Sequence, residues 1–503
     1  MPDTALVFVG FMGAGKTTAA RAAAAALGAR AADADRALEE RLGPIEDYFA
    51  SHGERAFREA EEELVAEWLQ APPAPVLSLG GGAVTSARVR ELLERHTTVL
   101  LDVDVETAWR RAGGRRRPLA RDRERFVALH AERAPLYESL ADAILLDSAA
   151  ETVRRAAPAL RAIPPGAKLL WATAGDAHYP VYVGHVLGTD AWPIEGRRFA
   201  ISDPSVAQLY ARQLPAVEAL LQMPAGETAK TLRTAEALLR ALARAGMGRG
   251  DHVVALGGGV VGDVAGFCAA VYQRGVPVVQ VPTTLVAQVD SAYGGKTGVD
   301  LPEGKNYVGS YHQPAAVLAD PRTLATLPEA ELGAGWAEVV KTALIAGGPL
   351  WDRVRRGAAG PDRATVLACA RTKLAVVAED ERDHGRRQAL NLGHTVGHAL
   401  ETATAYRRFR HGEAVGLGLL AALTLSGQPA LRAEVADLLA ARGLPTSVDG
   451  EVDLAAVADA VRADKKRRGG RVGFVLIEAP GDVRTGCPVA DGDLRAALEE
   501  LAA

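Results

Sequence analysis

Residues 5–28 read Ala5-Leu-Val-Phe-Val9-Gly10-Phe-Met-Gly13-Ala14-Gly15-Lys16-Thr17-Thr18, followed by an alanine-rich run that ends at Leu27-Gly28. An apolar run, a glycine loop and a run of helix formers predict a strand, a loop and a helix in that order. The loop fits the pattern GxxxxGK[ST]. Its glycines let backbone N–H groups wrap a phosphate, and the following helix N-terminus adds positive potential. Gly13, Ala14, Gly15, Lys16, Thr17 and Thr18 are therefore candidate ATP-binding residues. Lys16 would reach the outer phosphates, and Thr17 would ligate Mg²⁺. Further apolar runs at Val76–Leu79 and Val99–Leu101 read as buried parallel strands and, with the P-loop, predict a parallel-sheet domain of the α/β class.

The chain of 503 residues exceeds one ordinary core, so more than one domain is expected. A net charge of −4 sets up no global field toward nucleic acid or acidic membranes. Three cysteines, Cys268, Cys369 and Cys487, stand far apart and fit a reducing compartment better than a disulfide frame. Met1 leads into Ala5–Val9 without a basic leader, and no apolar run is long enough for a bilayer. The expectation is a cytoplasmic protein with no membrane segment.

Ile163-Pro164-Pro165-Gly166 is the clearest seam, because two prolines and a glycine cannot continue the helix before them. Domain one is placed at 1–163, a linker at 164–166 and domain two at 167–503. Domain two begins with strand patterns near 168–172, 179–183, 198–202, 253–256 and 278–281. From Leu327 helical periodicity takes over. The expectation is a nucleotide-binding α/β half at 167–326 and a helical half at 327–503, with a cleft between them.

Domain one carries further spaced elements. They are Asp33-Ala-Asp35, Phe57-Arg58, Leu77-Ser-Leu-Gly-Gly81-Gly82, Arg117-Pro118-Leu119 and Arg133-Ala-Pro-Leu-Tyr137. With the phosphate loop, these make residues 1–163 resemble shikimate kinase. The resemblance implies that Arg58 and Arg133 clamp a substrate carboxylate through charge-assisted forks. Asp35 would orient the reacting hydroxyl, and Gly81 would let backbone approach the ring. Arg117 would neutralise the transferring phosphoryl group, while Asp33 and Ser78 would hold Mg²⁺ through water. Asp147-Ser148-Ala149 offers no arginine for an adenine face.

In domain two, Gly257-Gly258-Gly259-Val260-Val-Gly262 satisfies GxGxxG after an apolar run. The acidic residue a standard Rossmann unit carries about 20 positions later is missing, and Asp263 follows at once. Asn391, His394 and His398 are spaced i, i+3, i+7, which would put them on one helix face, and Glu338 and Lys341 share a face likewise. Spacing alone offers His394 and His398 as paired metal ligands.

Together with Pro224–Lys230, Pro282-Thr283-Thr284, Asp290–Lys296, Gly304-Lys305-Asn306 and His411-Gly-Glu413, these segments resemble 3-dehydroquinate synthase. The resemblance implies Zn²⁺ (or Co²⁺) on Glu338, His394 and His411, with His398 near the substrate phosphate. It implies NAD⁺ on Asp203, Glu227, Lys230, Gly258, Gly259, Val260, Asp263, Thr283, Thr284, Lys296, Lys305, Thr323 and Thr326. Asp290, Lys296, Asn306, Lys341, Lys373, Arg387, Asn391, His398 and Lys465 would meet the substrate. Arg274 would reach in from a second subunit of a homodimer. The implied reaction oxidises, eliminates phosphate, reduces, opens a ring and closes a carbocycle, with no net oxidation. A cyclase making a carboxylate-free cyclitol is the nearest rival for this half. For domain one it is a gluconate-type or nucleotide-type kinase, or a kinase-like module without catalysis.

Overall fold

The structure is a computed structural model that describes residues 4–112, 120–357, 360–467 and 473–502, with backbone alone for 464–467. Arg117 and the basic run around it lie outside the described residues, as does the side chain of Lys465. The chain divides into two compact units, the first comprising Met1–Thr173 with His178–Tyr182 and the second the remainder.

The first unit is built on the strand of the opening sequence. Leu6–Val9 lies between Val76–Ser78 and Thr97–Leu101, parallel to both. Ala31–Asp33 extends the sheet on one side, and Ala143–Leu145 then Ala167–Ala174 extend it on the other, all in parallel. All four residues of the first strand are buried, which explains why it reads as an unbroken apolar run. The helix Lys16–Ala26 starts directly from the loop, with Gly15 at φ 93 serving as its N-cap. Gly13 cannot be replaced freely, because its φ is 85 and a Cβ would fall on the carbonyl of Ala108. The seam follows the helix Ala150–Arg161 and precedes the strands Ala167–Ala174 and Ala177–Gly184.

In the second unit, parallel strands follow in the order Ala316–Ala319, Val278–Pro282, His252–Gly257, Arg198–Ser202 and Ala219–Gln222. The helix Gly259–Val271 springs from the glycine run at the end of a central strand. Beyond it come the helices that carry the second site, Glu329–Ala346, Arg363–Glu379, His394–Ala403 and His411–Leu425. Helix Glu329–Ala346 is buried from Gly333 to Leu344, so its apolar residues show no amphipathic stripe.

The structure differs from the sequence reading in three places. Asn391 does not share a helix with the histidines: it ends the 3-10 turn Arg386–Asn391, and left-handed Gly393 at φ 79 separates it from the helix that His394 opens. The helical half also contains an antiparallel hairpin, Phe474–Ala479 with Asp482–Cys487. Its apolar run is only four residues of buried Phe-Val-Leu-Ile, too short to stand out from a helix segment. A second hairpin, Lys296–Leu301 with Gly304–Tyr311, is mostly polar and glycine-containing, and its alternation was not legible.

Helices His394–Ala403 and His411–Leu425 cross with almost no side-chain spacer. A Cβ on Gly418 would fall on the Gly393 carbonyl, and one on Gly412 on the Ala334 carbonyl. Gly418→Ala is therefore expected to destabilise the second unit by about 1–3 kcal/mol, as overpacking does. Thermal unfolding followed by circular dichroism checks this. An unchanged transition would mean that the crossing tolerates a methyl group.

Candidate functional sites

The first unit encloses a cavity of about 820 Å³ that joins the phosphate loop to a second group of polar residues. Lys16, Thr17 and Thr18 line it together with Asp33, Asp35, Arg58, Ser78, Gly81 and Arg133. Lys16 Nζ donates to the carbonyls of Gly10 and Phe11 at 2.9 and 3.1 Å. The lysine is thus held against the loop that its ammonium would serve. Thr17 Oγ1 donates to Asp33 Oδ2 at 2.6 Å, which gathers two oxygen ligands for a hard cation such as Mg²⁺. Asp33 also caps the helix Ala34–Leu42 through the Arg36 N–H, so Asp35 sits in that helix's first turn.

Arg133, on the helix Arg123–Leu140, reaches the Gly81 carbonyl at 3.3 Å, and Tyr137 OH donates to the same oxygen at 2.5 Å. The Nε of Arg133 is buried with no hydrogen-bond partner among the described residues. Arg58 pairs with Glu61, which is 2 % exposed. Burial pushes the Glu61 carboxyl up, against the lowering effect of Arg58. Two residues escaped the sequence reading. Glu61 lies one helical turn after Arg58. Arg111 lines the cavity and donates to Ser148 Oγ at 2.8 Å, beside the phosphate loop. It looked like helix-surface charge, since it ends Val105–Ala112 next to Arg110.

The second unit gathers Glu338, His394 and His411, with one ligand atom from each within 4.8 Å of the others. Each comes from a different helix. Glu338 is completely buried, and its Oε1 lies 3.7 Å from His394 Nε2 and 3.3 Å from His411 Nε2. His394 Nδ1 faces the Leu392 carbonyl at 3.2 Å, which leaves Nε2 toward the cluster. His398 lies outside this trio; it forms a second group with Glu401 and His411. The geometry therefore favours Glu338 over His398 as the third ligand beside His394 and His411. One carboxylate and two imidazoles suit a zinc or cobalt ion with a position left open for substrate.

A charged chain backs this cluster. Lys341 Nζ is 2.5 Å from Glu338 Oε2 and 3.9 Å from Asp290 Oδ2, and Lys373 Nζ is 2.7 Å from Asp290 Oδ1. Burial would raise the Glu338 and Asp290 carboxyls, but both are lowered, Glu338 by Lys341 with His411 and His394, and Asp290 by Lys341 and Lys373. Burial pushes the Lys373 ammonium down, only partly offset by Asp290. Burial also opposes charge on His411, yet Glu338 and Glu401 raise it to about 9. The field that favours a cation on that ring equally attracts a divalent metal.

Around the glycine run, Lys230 bonds Asp263 at 2.5 Å, and Lys305 lies 3.3 Å from Glu227. A Cβ on Gly258 would meet Thr284, and one on Gly259 would meet Ser291, so this turn is already closely covered. Thr283 Oγ1 is buried without a hydrogen-bond partner among the described residues. Asp203 caps the helix Pro204–Tyr210, and Tyr210 OH ties Thr326 Oγ1 at 2.5 Å near Thr323. Arg387 is buried and donates to the Gly294 carbonyl at 3.0 Å. Lys296 pairs with Asp383 at 2.6 Å, and the Asn306 backbone N–H donates to Asp300. Arg274 is exposed at φ 70, on the turn Tyr272–Arg274.

Comparison with known proteins matches residues 12–163 to the shikimate kinase family model. Residues 220–334 match 3-dehydroquinate synthase N-terminal, and 335–467 match 3-dehydroquinate synthase C-terminal. The chain is 45% identical over 333 residues to a 3-dehydroquinate synthase of Halorhodospira halophila, covering 62% of this chain and 93% of that one. A 3-dehydroquinate synthase of Symbiobacterium thermophilum is 42% identical over 355 residues, covering 65% and 99%. Among solved structures, the 2-epi-5-epi-valiolone synthase ValA of Streptomyces hygroscopicus subsp. jinggangensis, with NAD⁺ and Zn²⁺ bound, is similar at 28% identity and TM-score 0.60, covering 65% and 98%. A 2-deoxy-scyllo-inosose synthase complexed with carbaglucose-6-phosphate, NAD⁺ and Co²⁺ follows at 26% and 0.57, covering 66% and 99%.

Glu338→Gln removes the charge that both imidazoles face and leaves Lys341 with Asp290 alone. The variant is expected to lose bound zinc during purification. Metal analysis of the purified chain checks this, and stoichiometric zinc in the variant would exclude Glu338 from the ligand set.

Proposed function

The chain belongs to the 3-dehydroquinate synthase family, joined to a shikimate kinase region, and from that premise we propose that each unit is a working enzyme with the site roles given below. It is a bifunctional enzyme of aromatic biosynthesis. One activity phosphorylates shikimate to shikimate 3-phosphate with ATP. The other converts 3-deoxy-D-arabino-heptulosonate 7-phosphate to 3-dehydroquinate and phosphate. By sequence we assign residues 1–163 to the first and 167–503 to the second, with 164–166 as the linker, while by contacts Ala167–Thr173 and His178–Tyr182 group with the first unit.

For the kinase, the carrying observation is one cavity lined by Lys16, Thr17, Asp35, Arg58 and Arg133. Bound ATP with Mg²⁺ supplies the phosphoryl group and neutralises part of its charge. Arg58 and Arg133 are proposed to hold the shikimate carboxylate, which turns the reacting hydroxyl toward Asp35. Asp35 accepts a hydrogen bond from that hydroxyl and takes up its proton. Gly81 lines the same cavity and packs against the phosphate loop, where a Cβ would come within 3.3 Å of Met12 N. Arg117 is proposed to approach the transferring oxygens.

For the synthase, the carrying observation is the Glu338, His394 and His411 trio beside the Lys341–Asp290–Lys373 chain. When bound, zinc or cobalt polarises a substrate hydroxyl, and NAD⁺ accepts and later returns a hydride. Glu227, Lys230, Asp263, Thr283, Thr284, Thr323 and Thr326 are proposed to hold the nucleotide near the glycine run. Lys341 and Lys373 are proposed to bind the substrate's hydroxyls and carboxylate, with Asp290 keeping both oriented. Lys296, Asn306, Arg387, Asn391, His398 and Lys465 complete the anion-binding surroundings. Holding one flexible substrate through several successive geometries is the main demand on this unit. We further propose a cytoplasmic homodimer in which Arg274 serves the neighbouring copy's site. Its exposed turn, next to Val271 at 44 % exposure, supports that reading.

Lys16→Ala is expected to abolish shikimate phosphorylation, a loss of at least about 100-fold for a transition-state charge, and to leave phosphate release from the heptulosonate substrate intact. His394→Ala should do the reverse. Coupled assays on each purified variant decide this, and joint loss in either would contradict separate sites. Arg274→Ala should cut cyclisation without changing metal content. Mixing it with His394→Ala chains should restore part of the activity through hybrid dimers, and failure to restore any would place Arg274 outside the neighbouring site.

A further inference from the structure

We propose that Glu401 is a positioning residue for the metal ligand His411 and that, through Lys305, it ties the metal centre to the nucleotide side of the cleft. The inference rests on the reading of Glu338, His394 and His411 as the metal-binding trio.

Glu401 lies on the helix His394–Ala403, seven residues after His394 and so on nearly the same face. It is 2 % exposed. A carboxylate that deep needs charged partners. Its Oε1 has two, Lys305 Nζ at 3.2 Å and His411 Nδ1 at 3.5 Å. Its Oε2 is buried with no hydrogen-bond partner among the described residues.

His411 is thereby held between two carboxylates, with Nδ1 toward Glu401 and Nε2 at 3.3 Å from Glu338. A neutral imidazole has one N–H and one lone pair. Donating Nδ1–H to Glu401 fixes the tautomer that leaves the Nε2 lone pair facing the trio. A metal-bound histidine commonly has a partner of this kind on its other nitrogen. The backbone is fixed separately: the Arg410 N–H just before the helix donates to Glu413 Oε2 at 2.7 Å. Glu401 therefore controls the remaining freedom, rotation of the ring.

The competing arrangement makes Glu401 itself a ligand, since His398, Glu401 and His411 also lie within reach of one another. Lys305 argues against it, because an ammonium 3.2 Å from Glu401 Oε1 already neutralises this carboxylate and would repel a cation bound to it. Lys305 also lies 3.3 Å from Glu227 Oε1 and is stacked 4.6 Å from the Tyr406 ring centre. The sequence of contacts is Glu227, Lys305, Glu401, His411 and Glu338, running from the proposed nucleotide-binding residues to the metal trio.

The test measures Co²⁺ affinity of the full chain by competition with a chelator and records the Co²⁺ absorption bands, for wild type, Glu401→Ala and Glu401→Gln. Glu401→Ala is expected to bind Co²⁺ roughly 10–100-fold more weakly, with shifted bands. Glu401→Gln keeps an oxygen that accepts from Nδ1–H, so it should recover most of the affinity and the wild-type bands. Should the alanine variant fail to fold, Glu401→Met, closer in volume, replaces it. Wild-type affinity without Glu401 would overturn the proposal. So would a glutamine variant as weak as the alanine one, which would make Glu401 a ligand. A wild-type chain that binds no metal would instead overturn the ligand trio itself.

Discussion

A fully buried carboxylate next to two imidazoles and a lysine is the constraint on which the second unit depends. Glu338 has no exposed surface, and an unpaired charge at that depth would be strongly destabilising. Its charge is tolerable because Lys341 sits one turn away on the same helix and His394 and His411 arrive from two others. Three helices must then come close enough for their side chains to meet. Gly412 and Gly418 make that approach possible, since a methyl group at either would collide with backbone. Lys341 in turn calls for Asp290, and Asp290 for Lys373. Glu338, Lys341, Asp290, Lys373, His394 and His411 thus form one connected set of charges and rings, in which each charge is offset by its neighbour.

The first unit answers a different problem with backbone in place of side chains. Its loop offers N–H groups and a helix start to phosphate, with buried Lys16 as the one side-chain cation held on the loop's own carbonyls among the described residues. Beyond Lys16 and Asp33 of the phosphate site, Arg58, Arg133 and Asp35 are among the charged side chains lining the same cavity. Division of labour within the cavity follows from this. On the proposed reading, the loop takes what all phosphate donors share and the arginine pair discriminates the acceptor.

Legibility in the sequence was uneven for physical reasons. The buried parallel strands were readable because burial on both faces makes unbroken apolar runs, as at Leu6–Val9 and His252–Gly257. The phosphate loop was readable because its geometry demands glycines at fixed intervals. Spacing misplaced Asn391, because one left-handed glycine, Gly393, interrupts the helix that the pattern assumed. Spacing also offered His398 as the partner of His394, whereas the nearest charged partner is Glu338, more than fifty positions earlier. Only the resemblance supplied that long-range pairing. Glu61, Arg111 and Glu401 went unread for the same reason: each acts through a residue distant in sequence or hidden in an ordinary helix. The hairpin Phe474–Ala479 with Asp482–Cys487 was missed because its apolar run is short.

The central claim is that one chain holds two chemically separate centres, only one of which needs a transition metal. The most direct measurement takes a single purified preparation and assays both reactions, in excess Mg²⁺, before and after treatment with a zinc-selective chelator. The account predicts that phosphate release from the heptulosonate substrate disappears and returns on adding Zn²⁺ or Co²⁺, while ATP-dependent phosphorylation of shikimate holds its rate throughout. Cyclisation that survives complete removal of the metal, or a kinase rate that falls in step with it, would contradict the account.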